Sequence, residues 1–229
     1  MLKFKRNWKK LGNLQIDRNN IDDEKMFILS DLEYVKNNLT KDGVTDKFIT
    51  YFEKEIAPKF DTNGKIWKIN SKIHRLRKTW MPALGNWHLD NIDRGAKGNY
   101  KNGVEVNHIG QPDYTNKQDD IYILFVIGES ARTQLVDSDI ELEEPKENEN
   151  VYEAFHKQIE DKYKDNIVTM ESGDIIMFTS TDFHRGSEST IDKSFFRYFI
   201  RLQLTSNTSN LKNKVRNQVQ TYIDRGRDW

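Results

Sequence analysis

The chain has no cysteine among its 229 residues. A disulfide framework and thiolate metal sites are therefore excluded, and a reducing compartment fits. It also lacks any apolar run long enough to span a bilayer, and no signal-type apolar segment follows Met1-Leu2-Lys3-Phe4-Lys5. Net charge is missing too, since 36 basic residues balance 36 acidic ones. No global field then draws the protein to nucleic acid or to an anionic membrane. There is no internal repeat, and no stretch rich enough in Pro, Gly or Ser to serve as a linker. The expectation is a soluble cytoplasmic protein of one domain, long enough to bury a sizeable core.

The pattern along the chain then predicts a helical start followed by strands. Residues 1 to about 20 are basic and polar and read as an arm on the body. Ser30-Asp31-Leu32-Glu33 has the form of a capping box, with Leu32, Val35 and Leu39 following at helical spacing. A second helix runs from Thr45 to about Ala57 on the stripe Phe48, Ile49, Phe52 and Ile56, and Pro58 stops it. Residues 1–65 are thus expected to be a helical buttress, 66–205 a β-rich core, and 206–229 a polar tail with a helix around Leu211 to Ile223. Within the core, Ile66 to Trp80 reads as one or two strands and Ile121–Ile127 as a strand buried on both faces. The Gly-bearing polar stretch from Asn91 to Asp120, which holds His108, is long enough to be a lid over a site. Glu141 to Asn150 reads as a solvated acidic loop, and Val151 to Tyr163 as a polar helix or insert carrying His156.

Three short pieces carry the chemistry. His88-Leu89-Asp90 places two side chains on one side of an extended segment with Leu89 turned away. His184 follows a Gly173-Asp174 turn and the apolar run Ile175 to Phe178, expected to continue as one strand through Asp182. The last piece is Phe195 to Leu204, whose alternation puts Phe196, Tyr198, Ile200, Leu202 and Leu204 on one face and Arg197, Phe199, Arg201 and Gln203 on the other. Taken singly, each piece has an ordinary reading: a surface His-x-Asp, a structural histidine, or arginines facing water. Taken in order, two imidazoles and a carboxylate make the facial triad that leaves coordination positions open on a ferrous ion. The arginines supply a fixed cation suited to a carboxylate.

In that order the set resembles the iron(II)- and 2-oxoglutarate-dependent oxygenases, over roughly residues 66–205. The resemblance is strong around 173–204, fair around 86–90 and thin elsewhere. It implies a mainly β fold with some α: a double-stranded β-helix (a jelly-roll or cupin-like barrel) buttressed by the N-terminal helices. It implies Fe(II) held by His88, Asp90 and His184, with 2-oxoglutarate and O2 as co-substrates. Arg197 is expected to pair with the far carboxylate of 2-oxoglutarate, with Thr133 as a second donor or simply a strand threonine. Arg201 would then face an acidic group of a small substrate, such as an amino acid or a natural-product intermediate. The reverse assignment of the two arginines stays open. Related halogenases replace the carboxylate ligand by a small residue, so Asp90 favours hydroxylation or another oxidation. Asp93 and Arg94 are candidates to orient the ligands.

Three other readings compete. A macromolecule-directed oxygenase would use the basic stretches Lys3–Lys10 and His74–Lys78. A non-catalytic jelly-roll module would bind an anion through its arginines. A zinc hydrolase could use the same three ligands but leaves the arginine strand without a duty.

Overall fold

Alternation of apolar and polar side chains builds the centre of the molecule, which a computed structural model describes for residues 1–17, 21–83, 85–90, 100–101, 104–105, 120–146 and 149–216. The elements in chain order are β1 (Leu2–Phe4), β2 (Lys9–Asn13), β3 (Met26–Ile28), β4 (Ser30–Asp31), α1 (Leu32–Asn38) and α2 (Val44–Tyr51). They continue with β5 (Ile66–Leu76), β6 (Tyr100–Lys101), β7 (Val104–Glu105), β8 (Ile121–Ile127), β9 (Thr133–Val136), β10 (Ile140–Leu142) and α3 (Val151–Lys162). The last are β11 (Ile167–Thr169), β12 (Asp174–Thr179), β13 (His184–Gly186), β14 (Phe195–Thr205) and β15 (Lys214–Arg216). The fold is mainly β, with several antiparallel sheets and a few helices.

The largest sheet has six strands in the order β2-β12-β8-β14-β5-β4. Its longest ladder joins β14 to β5 without interruption from Phe195↔Leu76 to Thr205↔Ile66. One face of this sheet is apolar. Trp67, Ile69, Ile73, Ile123, Phe125, Tyr198, Ile200 and Leu202 pack there against Val35, Phe48, Ile49, Phe52 and Ile56 from the N-terminal helices. Phe125 stacks on Phe48 with ring centroids 4.7 Å apart, and Trp67 meets Phe52 edge-on at 4.9 Å. The opposite face packs on a three-stranded sheet, β11-β9-β13, through Tyr122, Leu124, Val126, Ile176 and Phe178 against Leu135 and Met170. The site lies between these two walls.

Several expectations meet the structure with changes. The second helix is present, but it passes from α2 into a π turn at Phe52–Ile56 and a 3-10 turn at Ala57–Lys59. The N-cap of α1 is Asp31, which accepts from the Tyr34 backbone N–H, while Ser30 is a strand residue bonded to Ile28 and Lys214. The N-terminal arm contributes two strands: β1 pairs with β10, and β2 forms an edge of the large sheet beside β12. Glu141 and Leu142, at the start of the acidic segment, are therefore strand rather than loop. In place of the start of a C-terminal helix, β15 pairs with β3. The helix α3 is amphipathic rather than polar throughout, with Val151, Tyr152, Ala154, Phe155 and Ile159 buried. Most of the expected lid between Asn91 and Asp120 lies outside the described residues, as do His108, Asp93, Arg94 and residues 217–229.

The apolar run before His184 does not continue as one strand. It ends at Thr179, and the chain crosses to the facing sheet before β13 begins at His184. Asp182 holds the crossing. One carboxylate oxygen accepts from the backbone N–H groups of Asn7 and Trp8 at 2.8 and 3.0 Å. The other accepts from the Thr179 N–H and hydroxyl at 2.8 and 2.9 Å. A buried carboxylate with four donors replaces the ladder bonds the turn gives up.

Candidate metal centre and anion pocket

His88 and His184 are brought together by their own backbones. The two residues form an isolated antiparallel bridge, each N–H donating to the other's carbonyl at 3.1 Å. Their rings lie 4.4 Å apart, centroid to centroid. Leu89 points the other way, into a cluster with Trp87, Phe155 and Phe183, as strand alternation requires. Arg185, next to His184, also turns away. It bonds Gln134 and Glu160 and lies 4.4 Å over the Trp87 ring, while Trp87 donates to Glu160 at 2.7 Å. The residues flanking both histidines are thus locked on the far side of the strand.

The imidazoles are oriented for metal. His88 Nδ1 donates to the Asn86 carbonyl at 3.0 Å, and His184 Nδ1 donates to the Asp182 carbonyl at 3.1 Å. Each ring therefore keeps its Nε2 lone pair for a ligand, the arrangement that second-sphere hydrogen bonds impose on metal-binding histidines. Asp90 completes the group, with Oδ2 3.6 Å from His184 Nε2. One donor atom from each of His88, Asp90 and His184 lies within 4.8 Å of the others. Two donors on one first-row ion sit about 3–4 Å apart, so the set closes on an ion with small side-chain rotations. The donor chemistry, two imidazoles and one carboxylate, fits a divalent metal.

Electrostatics favour the ligating forms. Burial, then the neighbouring His184, pushes the His88 pKa down to about 4, so its ring is neutral near pH 7. Burial alone would raise the Asp90 carboxyl. The Arg201 guanidinium and the two imidazoles outweigh it and hold Asp90 below the usual carboxylate range. Arg201 donates directly to Asp90 Oδ2 and lies over the Tyr122 ring at 5.2 Å.

The second part of the site is the inner face of the β5–β14 pair. Register sets Arg197 opposite His74, Phe199 opposite Lys72, Arg201 opposite Asn70 and Gln203 opposite Lys68. Arg197 is only 2% exposed. It donates to the Thr133 hydroxyl and to His74 Nδ1, both at 3.3 Å. Its Nε has no hydrogen-bond partner, and no carboxylate among the described residues pairs with it. Burial lowers its pKa to about 9, with no acidic neighbour raising it. His74, held well below its ordinary value by burial and then by Arg197 and Lys72, stays neutral and accepts from the guanidinium. The backbone passes so close here that a Cβ on Gly128 would sit 3.1 Å from Arg197 Cγ.

The sequence-predicted residues therefore fall in two adjoining groups: His88, Asp90 and His184 converge as a group that could hold a metal, with Arg201 on Asp90, and Arg197 meets Thr133 in a buried polar cluster. His74 and Lys72 were missed as site residues. Their signal was the two-residue alternation of β5, which puts them on the same face as each other and opposite the arginine strand. The basic stretch His74–Lys78 divides between the faces, with His74 buried and Arg75, Arg77 and Lys78 exposed. Lys3 and Lys10 of the N-terminal stretch pair with Glu141 and Asp174. Among the described residues, no helix is long and apolar enough to cross a membrane.

No protein-family model matches the chain, and no curated protein matches it. Among solved structures, a non-heme monooxygenase, the ThoJ–nickel complex, aligns with a TM-score of 0.30 and 12% identity. The alignment covers 62% of this chain and 44% of that one, less than half of that protein's length.

Proposed function

We propose that the chain is an Fe(II)- and 2-oxoglutarate-dependent dioxygenase that hydroxylates or otherwise oxidises a C–H bond of a small, carboxylate-bearing molecule. The two facing sheets are, on this reading, the walls of a double-stranded β-helix. The observation that carries the proposal is Arg197. A guanidinium this buried, with no carboxylate partner among the described residues, is costly unless an anion arrives to pair with it. It shares the inner face of β14 with Arg201, which holds the metal group's carboxylate. A keto diacid that chelates the metal at one end and meets an arginine at the other answers both features.

When bound, the iron lets O2 oxidise 2-oxoglutarate to succinate and CO2, one oxygen atom entering succinate and the other the substrate. The protein's own contributions are positional. His88, Asp90 and His184 present three donors, with Nδ1 atoms tied to backbone carbonyls so that the rings do not turn. Arg197 and the Thr133 hydroxyl receive the distal carboxylate, a charge-assisted pairing that arginine's fork suits. Asp90 keeps the third position occupied by protein oxygen, which favours hydroxylation over halide transfer. The absence of cysteine and the zero net charge fit a cytoplasmic enzyme of small molecules, without nucleic acid or membrane as partner.

The test is anaerobic ferrous titration of the metal-stripped protein with 2-oxoglutarate, followed by the visible charge-transfer band of the chelate. A band that disappears in His184→Ala and weakens in Arg197→Ala supports the proposal. No band, with iron content no higher than in His88→Ala, would instead favour a non-catalytic anion-binding module.

A further inference from the structure

Charges on the inner face can be matched one to one. Asp90 is taken by Arg201. Asp120 accepts from Gln203 at 2.7 Å and is the acidic neighbour of Lys68. Lys68 itself donates to the Asn207 carbonyl at 3.3 Å and to Asn210 at 2.8 Å. Arg197 awaits the co-substrate carboxylate. One cation is left. Lys72 projects from β5 on the same face, in register with Phe199 and so between Arg197 and Arg201 along β14. It is half-buried, and no hydrogen bond or ion pair joins it to a described residue.

We infer that Lys72, rather than Arg201, anchors the carboxylate of the substrate, and that Arg201 is a positioning residue for Asp90. This deepens the proposed function and rests on it. Arg201 already donates to a metal-group carboxylate oxygen, whereas Lys72 has no such partner among the described residues. Lys72 carries three donors on a flexible stem, which suits an acid group arriving beside the metal group. Its surroundings make an anion welcome. Burial first, then Arg201 and Arg216, lower its pKa, against a weaker opposing pull from Asp90. A bound carboxylate relieves that repulsion. The substrate is thus a small acid whose carboxylate lies toward β5, with the oxidised carbon between it and the metal.

The experiment uses full-length protein loaded anaerobically with ferrous iron and 2-oxoglutarate. The probes are the L-amino acids and small hydroxy acids, each compared with its uncharged amide. Lysines carry reductively added 13C-methyl groups, and the Lys72 resonance is identified by its absence in Lys72→Arg. The expected result is that one or more acids, and not their amides, shift the Lys72 resonance saturably and perturb the charge-transfer band. Lys72→Gln should weaken that binding at least tenfold while the 2-oxoglutarate band persists, and Lys72→Arg should restore it in large part. Acid binding unchanged in Lys72→Gln overturns the inference, as does an acid panel that never shifts Lys72. Loss of the 2-oxoglutarate band in Lys72→Gln also overturns it, assigning Lys72 to the co-substrate. Absence of the band in the wild type is a different failure, because it removes the oxygenase reading itself.

Discussion

The two faces of the β5–β14 ladder are made by the same strands and differ in almost everything else. Toward the helices, Trp67, Ile69, Ile73, Tyr198, Ile200, Leu202 and Leu204 are buried, and the Tyr198 hydroxyl is satisfied by Thr45. Toward the facing sheet, alternate positions carry Lys68, Lys72, His74, Arg197, Arg201 and Gln203. The first face is the source of stability, since burying apolar surface is the dominant favourable term in folding. The second works against stability, because a buried guanidinium with no carboxylate partner among the described residues and a histidine kept neutral both oppose folding. Strand alternation separates the two jobs by a single residue step, so the chemistry can be charged without breaking the core.

That separation can be broken from either side. The largest effect is expected on the chemical face. His184→Ala should lower metal affinity at least about a hundredfold, since it removes a ligand rather than a supporting group; metal retained after desalting is the readout. On the apolar face, Phe125→Ala should cost about 3–5 kcal/mol of stability through the lost stack on Phe48 and the cavity left behind, with metal uptake preserved while the protein stays folded. Denaturant melts and metal content measured together would expose any crossover between the faces. Arg197→Met should sharpen the contrast. The ligand-free protein should be no less stable, and roughly 1 kcal/mol more stable would be in keeping with removing a buried charge that has no carboxylate partner among the described residues. Its affinity for 2-oxoglutarate should nevertheless fall about a hundredfold. A clear loss of stability in that variant would mean that Arg197 is a structural group.

The smallest effect is in the pH dependence. His74 binds a proton less readily in the folded chain than its ordinary value of 6.5 implies. The unfolded chain therefore takes up more protons as pH falls below about 6.5, and stability contributed by neutral His74 is lost in that direction and recovered above it. Thermal melts of ligand-free protein should show a shallower acid decline in His74→Gln than in the wild type. An unchanged acid limb would assign the decline to other groups.

Much of this arrangement was legible beforehand, and the parts that were not share one cause. The alternation of Phe195 to Leu204, the Gly173-Asp174 turn and the spacing of His88 and Asp90 are local signals, and the structure keeps each of them. The break between Thr179 and His184 was hidden because Asp182 satisfies it with donors from Asn7 and Trp8, far away in the chain. The strands β1 and β2 were hidden because Lys3, Lys9 and Lys10 look like solvated charge until β10 and β12 lie beside them. Lys72 was read as part of a strand and not as a site, and His74 only as the start of a basic stretch. An inward polar face and a face in water have the same period, and only the opposing sheet tells them apart.

The hydrogen-bonded bridge between His88 and His184 has a consequence for how the molecule unfolds. It joins two segments that are far apart in the chain, beside the stacking of Arg185 on Trp87. An ion held by both rings and by Asp90 would fasten those segments as a cross-link does, in a chain with no cysteine to form one. Separating those segments would then require releasing the ion. The melting temperature should climb with free metal, each tenfold increase above the dissociation constant adding about 1.4 kcal/mol. Resistance to proteolysis should rise with it.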